Sequence, residues 1–169
     1  MNRREPCATG PSKWQSDLPQ FILSWHTIFK RIKSIISKQN KLKEYIFKLA
    51  HRIVITKKES HLYGIEDNKS CHYCGDDYSS LHSFLGCQIA VDFLRKVLCW
   101  FNEKENSSIT SNSEEILFRA AADNDNKKIN FFLLYAKFYF HFQKINQREC
   151  IWDVFVRKLS YMLKIEGFG

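Results

Sequence analysis

The sequence has no run of about eighteen apolar residues, the length that a transmembrane helix needs. The N-terminal residues 1–6 are not followed by an apolar stretch of the kind found in secretory signals. We therefore expect no membrane partner and an intracellular location, nuclear or cytoplasmic. In a reducing compartment, clustered cysteines are more often metal ligands than disulfides.

Motifs of the common catalytic classes are also missing. The chain has no Gly-rich phosphate loop, no G-x-S-x-G and no evident nucleophile with a base beside it. Asp76 and Asp77 look like the paired aspartates with which polymerases hold two metal ions, but no third carboxylate on a neighbouring strand accompanies them. We expect that this chain is not an enzyme.

Proline is scarce, and two of the three prolines lie within residues 1–17, which show no apolar periodicity. This segment is predicted to be a disordered leader. The rest is apolar enough to form a core, since 44% of the 169 residues are hydrophobic and 15% are aromatic. Apolar residues recur there at helical spacing, so the predicted fold is a small, mainly α domain with few or no strands.

The predicted organisation follows these helical patterns. A helical zinc-binding domain covers residues 18–101 and includes a zinc loop at 71–87; a linker at 102–113 follows, and a C-terminal helical region at 114–169 packs on the domain. The first predicted helix begins at Pro19, the second runs from about Leu42 to Ile53, and the third covers residues 57–63, between a Thr56/Glu59 capping box and Gly64. A fourth helix begins at Cys87. The last three helices are predicted over Glu114–Ala122, Lys127–Asn146 and Ile151–Leu163.

The helix predicted over Lys127–Asn146 is apolar nearly all round. It is either buried on more than one side or carries a partner surface, which would lie along Phe131–Phe142. The scattered cysteines are interpreted as free thiols, with Cys99 in the core.

Residues 71–87 hold the strongest chemical signal in the chain. Cys71 and Cys74 have C-x2-C spacing, at which a tight turn aims two thiolates at one ion, and His82 and Cys87 follow as H-x4-C. Three thiolates and one imidazole complete the four ligands of tetrahedral Zn²⁺ and leave no position for a substrate, so the site is predicted to be structural. His72 is a competing imidazole, but it lies between the two cysteines, where it points away from their ion.

Positive charge is concentrated before this site. Residues 1–60 carry thirteen Lys and Arg against four Asp and Glu, although the net charge of the whole chain is only +8. Such asymmetry is typical of contact with a polyanion, most often nucleic acid, but it also fits a solvated helix face. The candidate phosphate-binding residues are Lys30, Arg31, Lys33, Lys41, Lys43, Lys48, Arg52, Lys57 and Lys58.

The region around the cysteines resembles the reverse transcriptase zinc-binding domain of LINE-like (non-LTR) retrotransposon polyproteins. The resemblance covers about residues 41–101 and is carried by the following elements: a His51-Arg52 helix segment, Thr56-Lys57, Gly64-Ile65, Cys71-x2-Cys74-Gly75, Leu81-His82-Ser83-Phe84 and Cys87 before an aromatic helix. One departure is Gln88, where many members have Pro. The polymerase and endonuclease of the parent are absent, so the chain looks like a C-terminal piece or a degenerate copy of such an element.

The resemblance implies that Cys71, Cys74, His82 and Cys87 bind zinc and that the domain helps to hold RNA and target DNA during target-primed reverse transcription. It therefore favours a non-catalytic module that binds RNA or DNA with little sequence preference. The alternative is a structural or protein-interaction module that docks on a reverse transcriptase domain through Phe131–Phe142.

Overall fold

The structure is a computed structural model, and it describes residues 9–19, 24–34, 38–110 and 127–168. The described chain is mainly helical, as predicted, and its strand pairing is limited to one antiparallel bridge between Ser70 and Asp77. The helices are α1 Gly10–Asp17, α2 Trp25–Ser34, α3 Asn40–Ala50, α4 Lys57–Leu62, a π-helical turn His82–Gly86, α5 Gln88–Glu105, α6 Lys127–Ile145 and α7 Trp152–Glu166. Among the described helices, none combines the length and apolar character needed to span a bilayer.

Helix α6 is the central element of the core. It packs against α3, α5 and α7, and its aromatic residues are buried on nearly every side. On one flank, the ring of Phe140 stacks on Phe93 of α5 with 5.1 Å between centroids. Of the predicted partner surface, Phe131 and Phe140 are buried and only Phe142 is largely exposed, at 49%. This helix is therefore internal, and the docking surface that the alternative function requires lies inside the core.

The predicted disordered leader over residues 1–17 is wrong for residues 10–17, which form α1; residues 1–8 lie outside the described chain. Thr9 caps this helix, and Pro11 lies in its first turn, where the missing N–H costs nothing. Trp14 is fully buried, and its Nε1–H donates to the carbonyl oxygen of Leu49 at 3.0 Å. Burying an indole with its N–H paired explains why so short a helix is stable on the surface of α3.

Arg52 also holds α1 in place, through contacts with Asp17, Lys13 and Trp14. Its guanidinium forms an ion pair with Asp17, donates to the carbonyl oxygen of Lys13 at 2.8 Å and lies 4.8 Å from the centroid of the Trp14 ring. Its backbone is left-handed, with φ of 53°, directly after the end of α3. The basic residue thus acts within the protein rather than standing free on its surface.

Of two predicted helix starts, one is wrong and the other is confirmed. Leu18 and Pro19 are non-helical and α2 begins at Trp25, so the predicted start at Pro19 is wrong. The capping box before α4 is confirmed: the backbone N–H of Thr56 donates to the Glu59 carboxylate at 3.0 Å, and Gly64 follows with φ of 69°. Because the two partners of this cap lie within one helical turn, local sequence was enough to predict it.

Helix α5 grows out of Cys87, as predicted, but it continues into the predicted linker. It ends at Glu105, and the side chain of Asn102 then organises the next residues, accepting from Ile109 N–H at 3.1 Å and donating to its carbonyl at 2.9 Å. Cys99 is exposed rather than in the core, because the buried face of α5 follows Phe93, Val97 and Phe101. Residues 111–113 of the linker and the predicted helix Glu114–Ala122 lie outside the described residues.

Candidate metal centre

A short knuckle positions the first two cysteines. The antiparallel bridge between Ser70 and Asp77 closes its base, and the N–H of Cys71 donates to the carbonyl oxygen of Asp76 at 2.6 Å. At the tip, Gly75 N–H donates to the Cys71 carbonyl at 2.9 Å, and Gly75 has a positive φ of 84°. Glycine adopts this conformation without steric cost, so the turn folds both thiols to the same side.

A π-helical turn positions the other two candidate ligands. Ser79 accepts from the N–H of His82 at 3.1 Å, and Cys87 N–H donates to the carbonyl oxygen of His82, five residues back, at 2.9 Å. This wider turn brings the first and last residues of H-x4-C to the same side, and such turns are frequent at functional sites. Gly86 leaves room for the imidazole, because a Cβ there would lie 3.2 Å from Nδ1 of His82.

The knuckle and the π-helical turn bring together Cys71, Cys74, His82 and Cys87. Their ligand atoms all lie within 4.8 Å of one another, and Cys74 Sγ is 3.1 Å from His82 Nε2. In a tetrahedral zinc site with bonds near 2.3 Å to sulfur and 2.0 Å to nitrogen, the ligand atoms are about 3.5–3.8 Å apart. The four side chains are thus close enough to hold a metal ion. His72 is exposed and lies outside the cluster, as predicted.

The cluster is buried on one side and open on the other. Cys71 and Cys87 are buried, His82 is half-buried and Cys74 is exposed. Burial raises the pKa of Cys71, but the backbone N–H groups of Tyr73 and Cys74 and the positive charge of Lys144 together lower it below its ordinary value. Hydrogen bonds to a thiolate and a nearby cation both favour the charged form, which is the form that ligates metals.

The neighbouring thiol shifts in the opposite direction. Desolvation and the proximity of Cys71 and Cys87 raise the pKa of Cys74 to about 12. Without an ion, closely spaced thiols cannot all ionise, so the first thiolate holds the proton on its neighbour. Desolvation and the charge of Lys144 lower the pKa of His82, which favours the neutral imidazole that a metal requires.

Three buried polar residues of α6 were not predicted, and two of them, His141 and Lys144, lie beside the tyrosines of the metal loop. Lys137, His141 and Lys144 fall at spacings of four and three, on one face of the helix. Tyr78 of the loop shares a hydrogen bond of 2.9 Å with Nδ1 of His141, and Tyr73 donates to the carbonyl oxygen of Arg148 at 2.7 Å. The signal that could have revealed them is polar residues spaced along one side of an otherwise apolar helix.

The predicted phosphate-binding residues divide into several groups. Lys30, Lys41, Lys43 and Lys58 are exposed, whereas Lys48 forms an ion pair of 2.5 Å with Glu44. Lys57 is only 7% exposed, which leaves little of its side chain for a phosphate contact, and Arg52 is engaged with α1. The side chains of Arg31 and Lys33 lie outside the described ones. Lys57 and Lys58 are neighbours on α4, but Lys57 is on its buried side and Lys58 is exposed, a difference that sequence spacing alone does not predict.

The fold and the cluster together define an α-helical protein with a Cys3His group that could hold a metal ion. No protein-family model, no curated protein sequence and no solved structure matches the chain.

Proposed function

We propose that the chain binds one zinc ion and that the ion has a structural role. The observation that carries this proposal is the convergence of three sulfurs and one imidazole nitrogen within 4.8 Å. Thiolate and imidazole donors in a tetrahedral set suit Zn²⁺ better than Mg²⁺ or Ca²⁺, which prefer oxygen. Since all four positions would be filled by protein, the ion would act as a cross-link and not as a Lewis acid for a substrate.

The ion would fix a segment, residues 69–78, in which only Cys71 and Tyr78 are buried. Besides the hydrogen bonds of Tyr78 to His141 and of Tyr73 to Arg148, this segment is held by the bridge at Ser70 and Asp77 and by the exposed ion pair between Lys69 and Asp77, at 2.9 Å. An exposed ion pair contributes at most about 1 kcal/mol. Metal binding would therefore supply part of the free energy that orders the exposed residues of this segment.

Metal content tests this proposal directly. The protein purified in Zn²⁺ is expected to contain about one zinc per chain, and the double variant Cys71→Ser/Cys74→Ser is expected to lose it. Cys99→Ser is the matched control, since Cys99 is exposed and outside the cluster. Replacement of zinc by Co²⁺ should give thiolate-to-metal charge-transfer absorption. Unchanged zinc content in the double variant would show that Cys71 and Cys74 do not bind the ion.

The zinc-supported scaffold would serve as a nucleic-acid-binding module of the reverse transcriptase zinc-binding type. The exposed residues Lys30, Lys41, Lys43 and Lys58, which precede the cluster, support this part of the proposal. Lysines that contact phosphates release counterions, so binding to RNA or DNA would be sequence-tolerant and would weaken with salt. A reverse transcriptase domain would be the partner in the parent polyprotein.

A salt titration separates specific contacts from general charge. Changing Lys30, Lys41, Lys43 and Lys58 to Gln is expected to weaken binding and to reduce the slope of log Kd against log salt by about 1 for each phosphate that the variant no longer neutralises. A control with the same charge change replaces four exposed basic residues elsewhere: Lys104, Lys127, Arg157 and Lys164. Equal effects of the two quadruple variants would show that only net charge matters, and no binding by the zinc-loaded protein would end the nucleic-acid proposal.

A further inference from the structure

Lys144, in the last turn of α6, is an unusual residue for a protein interior. It is only 1% exposed, and among the described residues no hydrogen-bond acceptor reaches its Nζ. Its ammonium is surrounded instead by aromatic rings, with the centroids of Phe140, Tyr78 and Tyr73 at 5.1, 5.2 and 5.8 Å. Ring faces attract a cation but replace only part of its lost hydration, so a buried ammonium calls for a negative charge nearby.

The metal cluster can supply that charge. Two of the three rings around the ammonium belong to the loop that carries the candidate ligands: Tyr73 lies between Cys71 and Cys74 in the sequence, and Tyr78 follows them. A divalent ion with three thiolates and one neutral imidazole carries a net charge of minus one. The positive charge of Lys144 acts on both Cys71 and His82. In a poorly hydrated interior, opposite charges attract each other more strongly than they do in water.

We propose that Lys144 is the internal counter-charge of the metal centre. This inference rests on the proposed zinc site and adds a residue outside the four ligands. The ammonium balances the net negative charge of the loaded centre, and metal binding in turn gives the buried ammonium its partner. Ion uptake and the seating of α6 against residues 71–78 are therefore coupled.

The first test compares zinc affinity in Lys144→Met, Lys144→Arg and the control Lys137→Met, by competition with a chelator at one pH. Lys137 is also buried in α6, at 3% exposure, and its charge is not among the causes that shift the pKa of Cys71 or of His82. Loss of an outer partner typically costs about 10–100-fold in metal affinity, and this loss is expected for Lys144→Met. Lys144→Arg should stay within a few-fold of the wild type. Equal losses in the Met and Arg variants would overturn the counter-charge.

The second test distinguishes charge balance from ordinary packing. Without the bound ion the ligands do not hold the fixed net charge of the loaded centre, so Lys144→Met removes a cation whose Nζ has no hydrogen-bond acceptor among the described residues. Its metal-free form should be as stable as the wild type or more stable, while its gain in thermal stability on zinc addition should shrink. If Lys144 served only packing, Lys144→Met would lower the stability of the metal-free and zinc-loaded forms equally, and that outcome would refute the inference.

A third test changes the charge of the centre itself. Cys74→His would convert the donors to two thiolates and two imidazoles, which are neutral with a divalent ion. Lys144→Met should then cost less affinity than it does beside three thiolates, and an unchanged cost would count against charge balance. The two proposals fail differently. If the wild type binds no zinc, both the zinc site and the counter-charge are refuted. If Lys144→Met leaves the zinc affinity unchanged, only the counter-charge is refuted.

Discussion

His141 shows how burial sets the protonation state of a single residue in this protein. The side chain is 7% exposed and lies among the rings of Tyr45, Tyr78 and Phe84. Desolvation, with a smaller effect of the Lys144 charge, lowers the pKa of His141 to about 4 from its ordinary value of 6.5. Above pH 6.5 the folded and unfolded states are both neutral at this site. Between pH 6.5 and 4 only the unfolded chain takes up the proton, so the fold loses stability as the pH falls.

The expected loss can be measured with His141→Gln. From pH 7 to pH 5 this histidine should lower the free energy of unfolding of the wild type by roughly 2 kcal/mol, and the variant should lack that contribution. Denaturant unfolding of both proteins at pH 7, 6 and 5 gives the difference, in which the titration of all shared groups cancels. Parallel pH curves for the two proteins would mean that His141 is protonated in the fold.

At the residue scale, the sequence predicts what is close along the chain. The ligand set was proposed from spacing within residues 71–87, and the structure brings those four side chains together. Lys144 and His141 could not be predicted, because they reach the loop only after α6 has packed beside it. The exposure of Cys99 was missed for a similar reason, since the buried face of α5 is fixed by its neighbours.

At the scale of elements, α1 depends on one close backbone approach. A Cβ on Gly10 would lie 2.2 Å from the carbonyl oxygen of His51, which is backbone and cannot move aside as a side chain would. Gly10→Ala is expected to push α1 away from α3, to break the hydrogen bond between Trp14 and Leu49 and to destabilise the protein by about 1–3 kcal/mol. Denaturant unfolding and exchange of the Trp14 indole proton would measure both effects.

Ser16→Ala is the control for this helix. Ser16 is exposed on the same element, so its replacement should change stability by no more than about 0.5 kcal/mol. If Gly10→Ala behaved like this control, the close packing of α1 on the end of α3 would be wrong.

Elements held by local contacts are predictable from the sequence, whereas elements held by distant residues are not. The capped helix α4 was predicted correctly because Thr56 and Glu59 are neighbours on one turn. The leader was mistaken for disorder because the groups that stabilise α1, Leu49 and Arg52, lie more than thirty residues along the chain. Residues after α5 were assigned to a linker because the hydrogen bonds from Asn102 to Ile109 leave no periodic pattern.

At the scale of the whole molecule, most of the buried apolar residues lie outside the metal loop. Most of the core lies in α3, α5, α6 and α7, and Cys71, Tyr78, Phe84 and Cys87 extend it into the metal loop. A chelator is therefore expected to leave most of the helical circular dichroism intact while residues 69–87 lose protection from hydrogen exchange. Addition of Zn²⁺ should restore protection in that segment and raise the Tm.

Peptide-level exchange provides the internal comparison for this experiment. Residues 129–140 of α6, which are mostly buried, serve as the reference segment. Collapse of helicity together with protection across both segments would show that the core itself depends on the metal. The mainly α class was predictable from apolar periodicity, but the central place of α6 was not, since its pattern is apolar on every side and points to no particular neighbour.

The compact spacing of the ligands has a consequence for synthesis on the ribosome. All four lie within residues 71–87, whereas α6 begins only at Lys127. Closing so short a loop costs little entropy, and domains emerge from the N-terminal side, so the ligands can capture an ion while the central helix is still unmade. The nascent knuckle would then already present Tyr73 and Tyr78 as a docking platform. In this order of assembly, the availability of the proposed zinc ion would act on the growing chain before its core exists.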